Sequence, residues 1–287
     1  MKLGVLLVAY GSANFRGTST LRAVQLAAEQ RFGLPVRWAF TSETMRQKLA
    51  DSKTKSDSVF KALSRMYFEK YTHVAVQSLH VIPGSEFKAV ASDCCMSARE
   101  TKLNIALGLP LLADIENSYP QAIEETARIL VRHVPKSRKA DEPVLYMAHG
   151  SQSDGAALYK TLDDHVRKLD PNIFIASMIS FRRDRDNSPD DLHYILSELK
   201  NMGNSHAVWL LPMLSLVGKH TLTDMAGTSG TSWKQRIEAT GLQCRAELRS
   251  LADDPAFLGQ WFNRLEYALG RLISGHGGDT LLSNAQA

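Results

Sequence analysis

The chain has 287 residues, 44% of them hydrophobic and 22% charged, a composition that excludes an intrinsically disordered protein. The net charge of +4 suits an acidic small molecule, but the basic residues are too few and too scattered to indicate nucleic-acid binding. No stretch approaches the length of a membrane span, and the apolar start runs into Gly11–Ser12 as a first strand does, not as a signal peptide. Cys94, Cys95 and Cys244 form neither a disulfide framework nor a zinc spacing. We therefore expect a reduced, cytoplasmic protein without membrane contacts.

Apolar runs and helical periodicities alternate along the first half of the chain. In chain order the patterns predict strand Leu3–Tyr10, helix Thr18–Phe32, strand Val36–Phe40, helical segments Arg46–Leu49 and Asp57–Met66, strand His73–Leu79, helix Glu86–Met96, strand Ile105–Gly108 and helix Tyr119–Arg132. Ser56 is the expected N-cap of the helical segment that follows it. This alternation predicts a mostly parallel sheet with right-handed crossovers.

The polar run Pro135–Pro143 is the best linker candidate, and the alternation restarts after it. The second half is predicted to contain strand Val144–Ala148, helix Asp154–Leu169, strand Phe174–Ile179, helix Asp190–Met202, strand Ala207–Leu211, helix Ser232–Ala239, strand Arg245–Leu248 and helix Pro255–Ile273. The glycine- and serine-rich end, Ser274–Ala287, is typical of a frayed tail. We expect two similar α/β domains with mostly parallel sheets, residues 1–137 and residues 138–287.

The two halves contain related segments. Two alignments need no gap: Val5–Ser12 on Val144–Ser151, and His73–Glu86 on Ala207–His220. They place Tyr10 opposite His149, and Glu86 opposite His220. Any two buried strands that end in glycine look alike, which is the alternative, but two independent matches favour duplication of one α/β unit. A cleft between two such copies is a natural ligand site.

His149 follows a buried strand at the carboxyl end, where chains leave a parallel sheet and ligands bind. A neutral imidazole there is the commonest protein metal ligand and also a competent base. The alternative is a structural histidine that is hydrogen-bonded to the backbone. His220 offers the same choice: it is either the solvated end of an apolar loop, with Lys219, or a second ligand with Asp224 four residues on.

Two further groups of polar residues follow predicted strands. His80 and Glu86 flank a Pro-Gly loop; His80 is as readily a structural residue as a ligand, and Glu86 has the alternative role of a favourable charge at a helix N-terminus. Arg182, Arg183 and Arg185 form a basic patch that is either a solvated face or a carboxylate-binding site. The sequence has no Walker loop, G-x-G-x-x-G or G-x-S-x-G motif.

Taken together, several motifs resemble those of the anaerobic sirohydrochlorin cobaltochelatases (the CbiK type of class II chelatase), which insert Co²⁺ into sirohydrochlorin on the route to cobalamin. The matching segments are Ala39–Ser42, Val76–His80, Met147–Gly150, His220–Ala226 and Ser232–Lys234. The resemblance implies two α/β domains with the active site in the cleft between them. It also implies that His149 and His220 act at the metal and that Glu86 is a catalytic carboxylate.

The resemblance further implies an acidic tetrapyrrole as partner, with a divalent metal (Co²⁺, or else Fe²⁺ or Ni²⁺) as substrate and no organic cofactor. We expect contacts to the macrocycle from five residues: Tyr10, Ser12, His80, Arg182 and Arg183. Nucleic acid and membrane are not expected as partners, and the sequence leaves assembly into a homo-oligomer open.

One position departs from the family pattern. The family carries a glutamate at the end of the strand predicted over Phe174–Ile179, which completes a His–Glu–His site, and this chain has Ile179 there. The change removes a hard oxygen ligand and a negative charge. Asp184 and Asp186, in the following loop, are the alternative sources of a carboxylate. Two alternatives to a cobalt chelatase therefore stay open: a non-catalytic tetrapyrrole carrier, and an iron chelatase or dechelatase.

Overall fold

The computed structural model describes six stretches of the chain: residues 1–52, 56–113, 119–152, 155–180, 190–201 and 207–274. The chain divides into two compact units, the first made of Met1–Ile115 and Pro255–Ala287 and the second of Glu116–Asp254. Within the described stretches no helix is both long and apolar enough to cross a membrane.

The first unit is built on a four-stranded parallel sheet with the order β2-β1-β3-β4. Its strands are β1 (Leu3–Ala9), β2 (Val36–Phe40), β3 (His73–Ser78) and β4 (Asn104–Gly108). β1 lies between two neighbours and under helices, and Val5–Ala9 are completely buried. A strand covered on both faces can be apolar at every position, which is why its sequence is a continuous hydrophobic run.

Five helices belong to this unit: α1 (Phe15–Phe32), α2 (Glu43–Asp51), α3 (Val59–Phe68), α4 (Ser85–Glu100) and, from the far end of the chain, α9 (Pro255–Ile273). Side-chain N-caps begin three of them; Ser58 caps α3 by accepting a hydrogen bond from the backbone of Lys61. The sequence expectation of Ser56 as that cap is wrong, because the Ser56 hydroxyl donates to the carbonyl of Arg46.

The second unit repeats this plan with a parallel sheet of order β6-β5-β7-β8. Its strands are β5 (Val144–Gly150), β6 (Ile173–Ile179), β7 (Ala207–Met213) and β8 (Gln243–Ala246). Its helical segments are α5 (Tyr119–Arg132), α6 (Ala156–Leu169), α7 (Leu192–Asn201), a π-helix (His220–Met225), α8 (Trp233–Glu238) and a 3-10 helix (Leu251–Asp253).

The strand order is the same in both units: second, first, third, fourth. Gly11 and Gly150, which the sequence alignment pairs, both adopt left-handed backbone conformations, with φ of 106° and 83°. Glu86 lies in the first turn of the helix after β3, and His220 opens the helical turn after β7. The tertiary structure therefore agrees with the internal repeat.

The division into units differs from the expected boundary at residues 137 and 138. α9 packs against β3 and β4 of the first sheet, where Phe257 and Trp261 are fully buried. The expected linker is an ordered part of the second unit, because Arg138 pairs with Asp170 at 2.7 Å and buried Glu142 accepts a hydrogen bond from the Trp209 indole at 2.7 Å. The chain passes from the first unit to the second and returns only for its last helix.

Candidate functional site

His149 is the penultimate residue of β5 and the one exposed position in that strand. The strand extends to Gly150, two residues beyond its predicted end. His149 therefore lies within the strand, between buried Ala148 and buried Gly150. Alternation along a strand sends its side chain to the opposite face from theirs. Nδ1 of the ring lies 3.2 Å from the carbonyl oxygen of Gly150. Since a carbonyl only accepts, Nδ1 is the protonated nitrogen in this geometry.

His220 begins the π-helix that follows β7, the strand next to β5. Such one-turn π segments are rare and occur often at functional sites. Nδ1 of His220 lies 2.6 Å from Oδ2 of Asp224. The side chains of both residues are about two-fifths exposed, at 39% and 38%. The ring is thus held by a carboxylate and open to solvent.

The rings of His149 and His220 lie together in the second unit. Their centroids are 5.3 Å apart and their planes meet at 70°. Two imidazoles that share one ion, with metal–nitrogen bonds of about 2.1 Å, have ring centres about 5 Å apart. Because Nδ1 of each ring is engaged, Nε2 of each is the nitrogen available to an ion. The predicted convergence of these two histidines is therefore observed, and it involves one unit alone.

Ile179 ends β6, beside the end of β5, and is the register partner of Gly150. The residue that the sequence analysis placed at the family's glutamate position therefore lies beside the strand of His149. No cluster of three or more histidine, cysteine or acidic side chains suited to a metal occurs in the described stretches. Four residues weighed as contributors, Arg182, Arg183, Asp184 and Asp186, lie outside the residues that the structure describes.

Asp191 is a buried carboxylate near this strand end that sequence reasoning missed. It accepts hydrogen bonds from the backbone and hydroxyl of Ser177 at 2.9 and 2.7 Å, and from the hydroxyl of Ser180 at 2.5 Å. These bonds fix the end of β6. No periodicity marks such a residue, because its role depends on contacts with a strand that precedes it in the chain.

Glu86 and His80 belong to a hydrogen-bonded chain at the carboxyl edge of the first sheet. Nε2 of His80 lies 2.8 Å from Oε2 of Glu86, and Nδ1 of His80 lies 2.6 Å from the hydroxyl of Ser78. The hydroxyl of Thr41 donates to the same Glu86 oxygen at 3.3 Å. With an ionised Glu86 as acceptor, Nε2–H is the donor and the Ser78 hydroxyl donates to Nδ1. The Glu86 side chain is 42% exposed while Ser78 is completely buried.

Tyr10 and Ser12 follow β1 at the same edge. Tyr10 is 42% exposed, as a ring that contacts a ligand must be. Ser12 is 2% exposed, and its hydroxyl accepts a hydrogen bond from Asn14, the residue that caps α1. Ser12 therefore supports the loop. The predicted contact of Ser12 with a ligand is not supported, because the residue is almost completely buried.

The protein thus has a duplicated parallel α/β fold and presents two adjacent imidazoles, the commonest metal-ligating side chains, at the carboxyl edge of one sheet. The chain belongs to the cobalt chelatase (CbiK) family, whose model matches residues 3–270. This match confirms the family resemblance found in the sequence.

Two relatives match along nearly the whole chain. The sirohydrochlorin cobaltochelatase CbiKC of Nitratidesulfovibrio vulgaris is 44% identical over 273 residues, which cover 94% of this chain and 92% of the relative. The sirohydrochlorin cobaltochelatase of Salmonella typhimurium is 27% identical over 277 residues, which cover 95% and 98%. Among solved structures, SirB from Bacillus subtilis with Fe³⁺ has a TM-score of 0.62 at 14% identity and covers 97% of this chain and 100% of SirB. That last likeness shows the fold alone.

Proposed function

We propose that this protein is a tetrapyrrole chelatase that inserts a divalent metal ion, Co²⁺, into sirohydrochlorin. Membership of the cobalt chelatase family and 44% identity to a sirohydrochlorin cobaltochelatase over 94% of the chain support the substrate. The single observation that carries the mechanism is the pair His149 and His220, whose ring centroids are 5.3 Å apart. Two exposed imidazoles in this arrangement are ligands for a borderline divalent ion.

In the proposed reaction, Nε2 of His149 and Nε2 of His220 bind the incoming ion and replace part of its water shell. The ion then exchanges these ligands for the four nitrogens of the macrocycle, and two pyrrole protons leave. The exchange changes no oxidation state, so the proposed reaction needs no oxidant or reductant. The protein contributes position, loss of water from the ion and acceptance of protons.

Glu86 is the proposed acceptor for the pyrrole protons. Its carboxylate is partly exposed, while His80 and Thr41 hold one of its oxygens in place. A carboxylate positioned by hydrogen bonds is a competent general base. The hydrogen bonds that link Ser78 to His80 and His80 to Glu86 support a positioning role for His80, beside the macrocycle contact expected from the sequence.

The macrocycle carries acidic side chains around a flat ring. Tyr10 offers an exposed aromatic face beside β1. Arg182 and Arg183 are the proposed partners of the carboxylates, since guanidinium groups bind carboxylates in a bidentate manner. Together, aromatic and guanidinium contacts match the two chemical features of the substrate.

A non-catalytic tetrapyrrole carrier is the second candidate, and Ile179 is the observation that favours it, because the chain lacks the carboxylate ligand that the family pattern places there. One experiment separates the two. Purified protein is mixed with sirohydrochlorin and then with Co²⁺, Fe²⁺ or Ni²⁺, and the absorption spectrum of the macrocycle is followed. A chelatase converts the spectrum of the free macrocycle to that of the metal complex faster than the same mixture without protein. A carrier changes the spectrum on binding and does not accelerate the conversion.

A further inference from the structure

Asp224 accepts a hydrogen bond from His220 that sets which ring nitrogen carries the proton. Oδ2 of Asp224 lies 2.6 Å from Nδ1 of His220, and the two residues are four positions apart on the π-helix. An ionised carboxylate is an acceptor only, so the proton is on Nδ1 and the lone pair is on Nε2. A carboxylate that orients a metal-binding histidine in this way also makes the imidazole a stronger ligand.

The two histidines of the pair are held differently. His149 is opposite a neutral backbone carbonyl at 3.2 Å, whereas His220 is opposite a carboxylate at 2.6 Å. Hydrogen bonds to an ionised acceptor are shorter and roughly twice as strong as neutral ones. His220 therefore has the more firmly fixed ring and the closer negative charge.

The stronger hydrogen bond of His220 matters because Ile179, which ends the strand beside that of His149, has an aliphatic side chain and offers no charge. We propose that Asp224 is the positioning residue of the metal site: it holds Nε2 of His220 towards the ion and supplies, through that ring, the negative charge that Ile179 does not. The inference rests on the proposed function, because it assigns the pair His149 and His220 to a metal.

The π-helix does not depend on Asp224 for its shape. The backbone of Ala226 donates to the carbonyl of Thr221, buried Thr221 and Met225 face the interior of the unit, and the hydroxyl of Ser232 donates to the carbonyl of Gly227. A substitution of the partly exposed Asp224 side chain therefore leaves these contacts in place. This makes an isosteric variant a test of function and not of folding.

The test measures Co²⁺ binding to the full chain without the macrocycle, by calorimetry and by the cobalt absorption bands. Asp224→Asn keeps the size of the side chain and removes the charge, and it is expected to weaken Co²⁺ binding about 10- to 100-fold. In turnover assays the KM for Co²⁺ rises while sirohydrochlorin binding is unchanged, and Asp224→Glu recovers part of the affinity. Asp164→Asn is the matched control, since Asp164 is an exposed acid of α6 that pairs with Lys160 across one helical turn.

The tautomer of His220 gives a readout independent of metal and activity. Long-range ¹H–¹⁵N spectra of the neutral ring are expected to show the proton on Nδ1 in the unmodified protein and to lose this signature in Asp224→Ala, which removes the side-chain acceptor. Wild-type Co²⁺ affinity in Asp224→Asn, with affinity lost in His149→Ala and His220→Ala, would overturn the inference and leave the proposed function standing. Wild-type affinity in both histidine variants would instead overturn the metal pair on which the proposed function rests.

Discussion

Gly150 lies against Ile179 with no room for a side chain. A β-carbon on Gly150 would overlap the carbonyl oxygen of Ile179 and come within 2.9 Å of its Cβ. Gly150 also has φ of 83°, a conformation that residues with a β-carbon rarely adopt. Both the steric overlap and the backbone conformation therefore favour glycine at the position after His149.

We expect Gly150→Ala to destabilise the protein by about 2–4 kcal/mol, because it combines backbone strain with steric overlap. Gly33→Ala is the control: Gly33 also has positive φ, of 63°, but open space lies around it, so that variant loses only about 1–2 kcal/mol. Urea unfolding of both variants measures the difference. Equal losses would mean that the overlap with Ile179 relaxes at no cost.

Replacing Ile179 by glutamate restores the carboxylate that the family pattern contains. We expect Ile179→Glu to strengthen Co²⁺ binding by about tenfold, or ~1.4 kcal/mol, and to raise the rate of cobalt insertion, since an oxygen ligand and a negative charge join two imidazoles. Ile179→Gln has nearly the same size without the charge and serves as the control. If glutamate and glutamine behave alike, the charge at this position does not act on the metal.

Removing His149 tests the metal pair directly. His149→Ala is expected to abolish metal insertion while sirohydrochlorin still binds, because the macrocycle is recognised by its acidic groups and its flat ring. Spectral titration with sirohydrochlorin and the insertion assay measure the two properties separately. His165→Ala, on α6, is a control in which a partly exposed histidine bonded to the Thr161 carbonyl is lost. An unchanged insertion rate in His149→Ala would count against the assignment.

Glu86 is predicted to act on protons and not on the free metal ion. We expect Glu86→Gln to lower the insertion rate by about 10²- to 10⁴-fold, the usual contribution of a general base, and to leave Co²⁺ affinity unchanged. The control is Glu43→Gln, because Glu43 is also an exposed acid in the first turn of a helix, α2. Loss of Co²⁺ affinity in Glu86→Gln would assign Glu86 to the metal instead.

The buried carboxylate of Glu142 makes stability depend on pH. Burial by itself raises the pKa of Glu142, but hydrogen bonds from Trp209 and from the backbone of Lys139, together with the charge of Arg245, outweigh it and lower the pKa below its ordinary value of 4.5. A carboxyl with a lowered folded-state pKa contributes its stability fully above pH 4.5 and loses it as the pH falls through the folded-state value.

We therefore expect Glu142→Gln to lower the free energy of unfolding at pH 7 by about 1–3 kcal/mol, since it weakens hydrogen bonds to a charged acceptor inside the unit. The difference between wild type and variant should shrink as the pH is lowered below 4.5. Thermal unfolding at a series of pH values measures this. A difference that stays constant down to pH 3 would contradict the role given to the charge.

The sequence was sufficient for most of the strands and several helices. Val36–Phe40, Tyr119–Arg132 and Pro255–Ile273 have the same bounds in the structure as in the prediction. Buried parallel strands are continuous apolar runs, and long amphipathic helices have apolar residues every 3.6 residues, so both can be predicted from a local stretch of sequence. The π-helix at His220 carries no such signal, and the strand of His149 extended further than its apolar run.

The domain boundary could not be predicted from local sequence patterns. The apolar face of α9 predicts that this helix is packed, but not on which sheet, and its neighbours β3 and β4 are more than a hundred residues earlier in the chain. Likewise the polar run before β5 has the composition of a linker, whereas Glu142 within it is buried and accepts hydrogen bonds from Trp209 and Arg245. Long-range contacts decided both cases.

The repeated α/β pattern, the family and the two candidate histidines can be predicted from the residues alone, because each of these depends on residue types at fixed spacings. The folded structure was needed to show that His149 and His220 lie together within a single unit, that Asp224 holds one of them and that His80 holds Glu86. These are distances between side chains brought together by sheet pairing and helix packing. No local pattern in the sequence predicts these distances, because they depend on where the folded chain places each side chain.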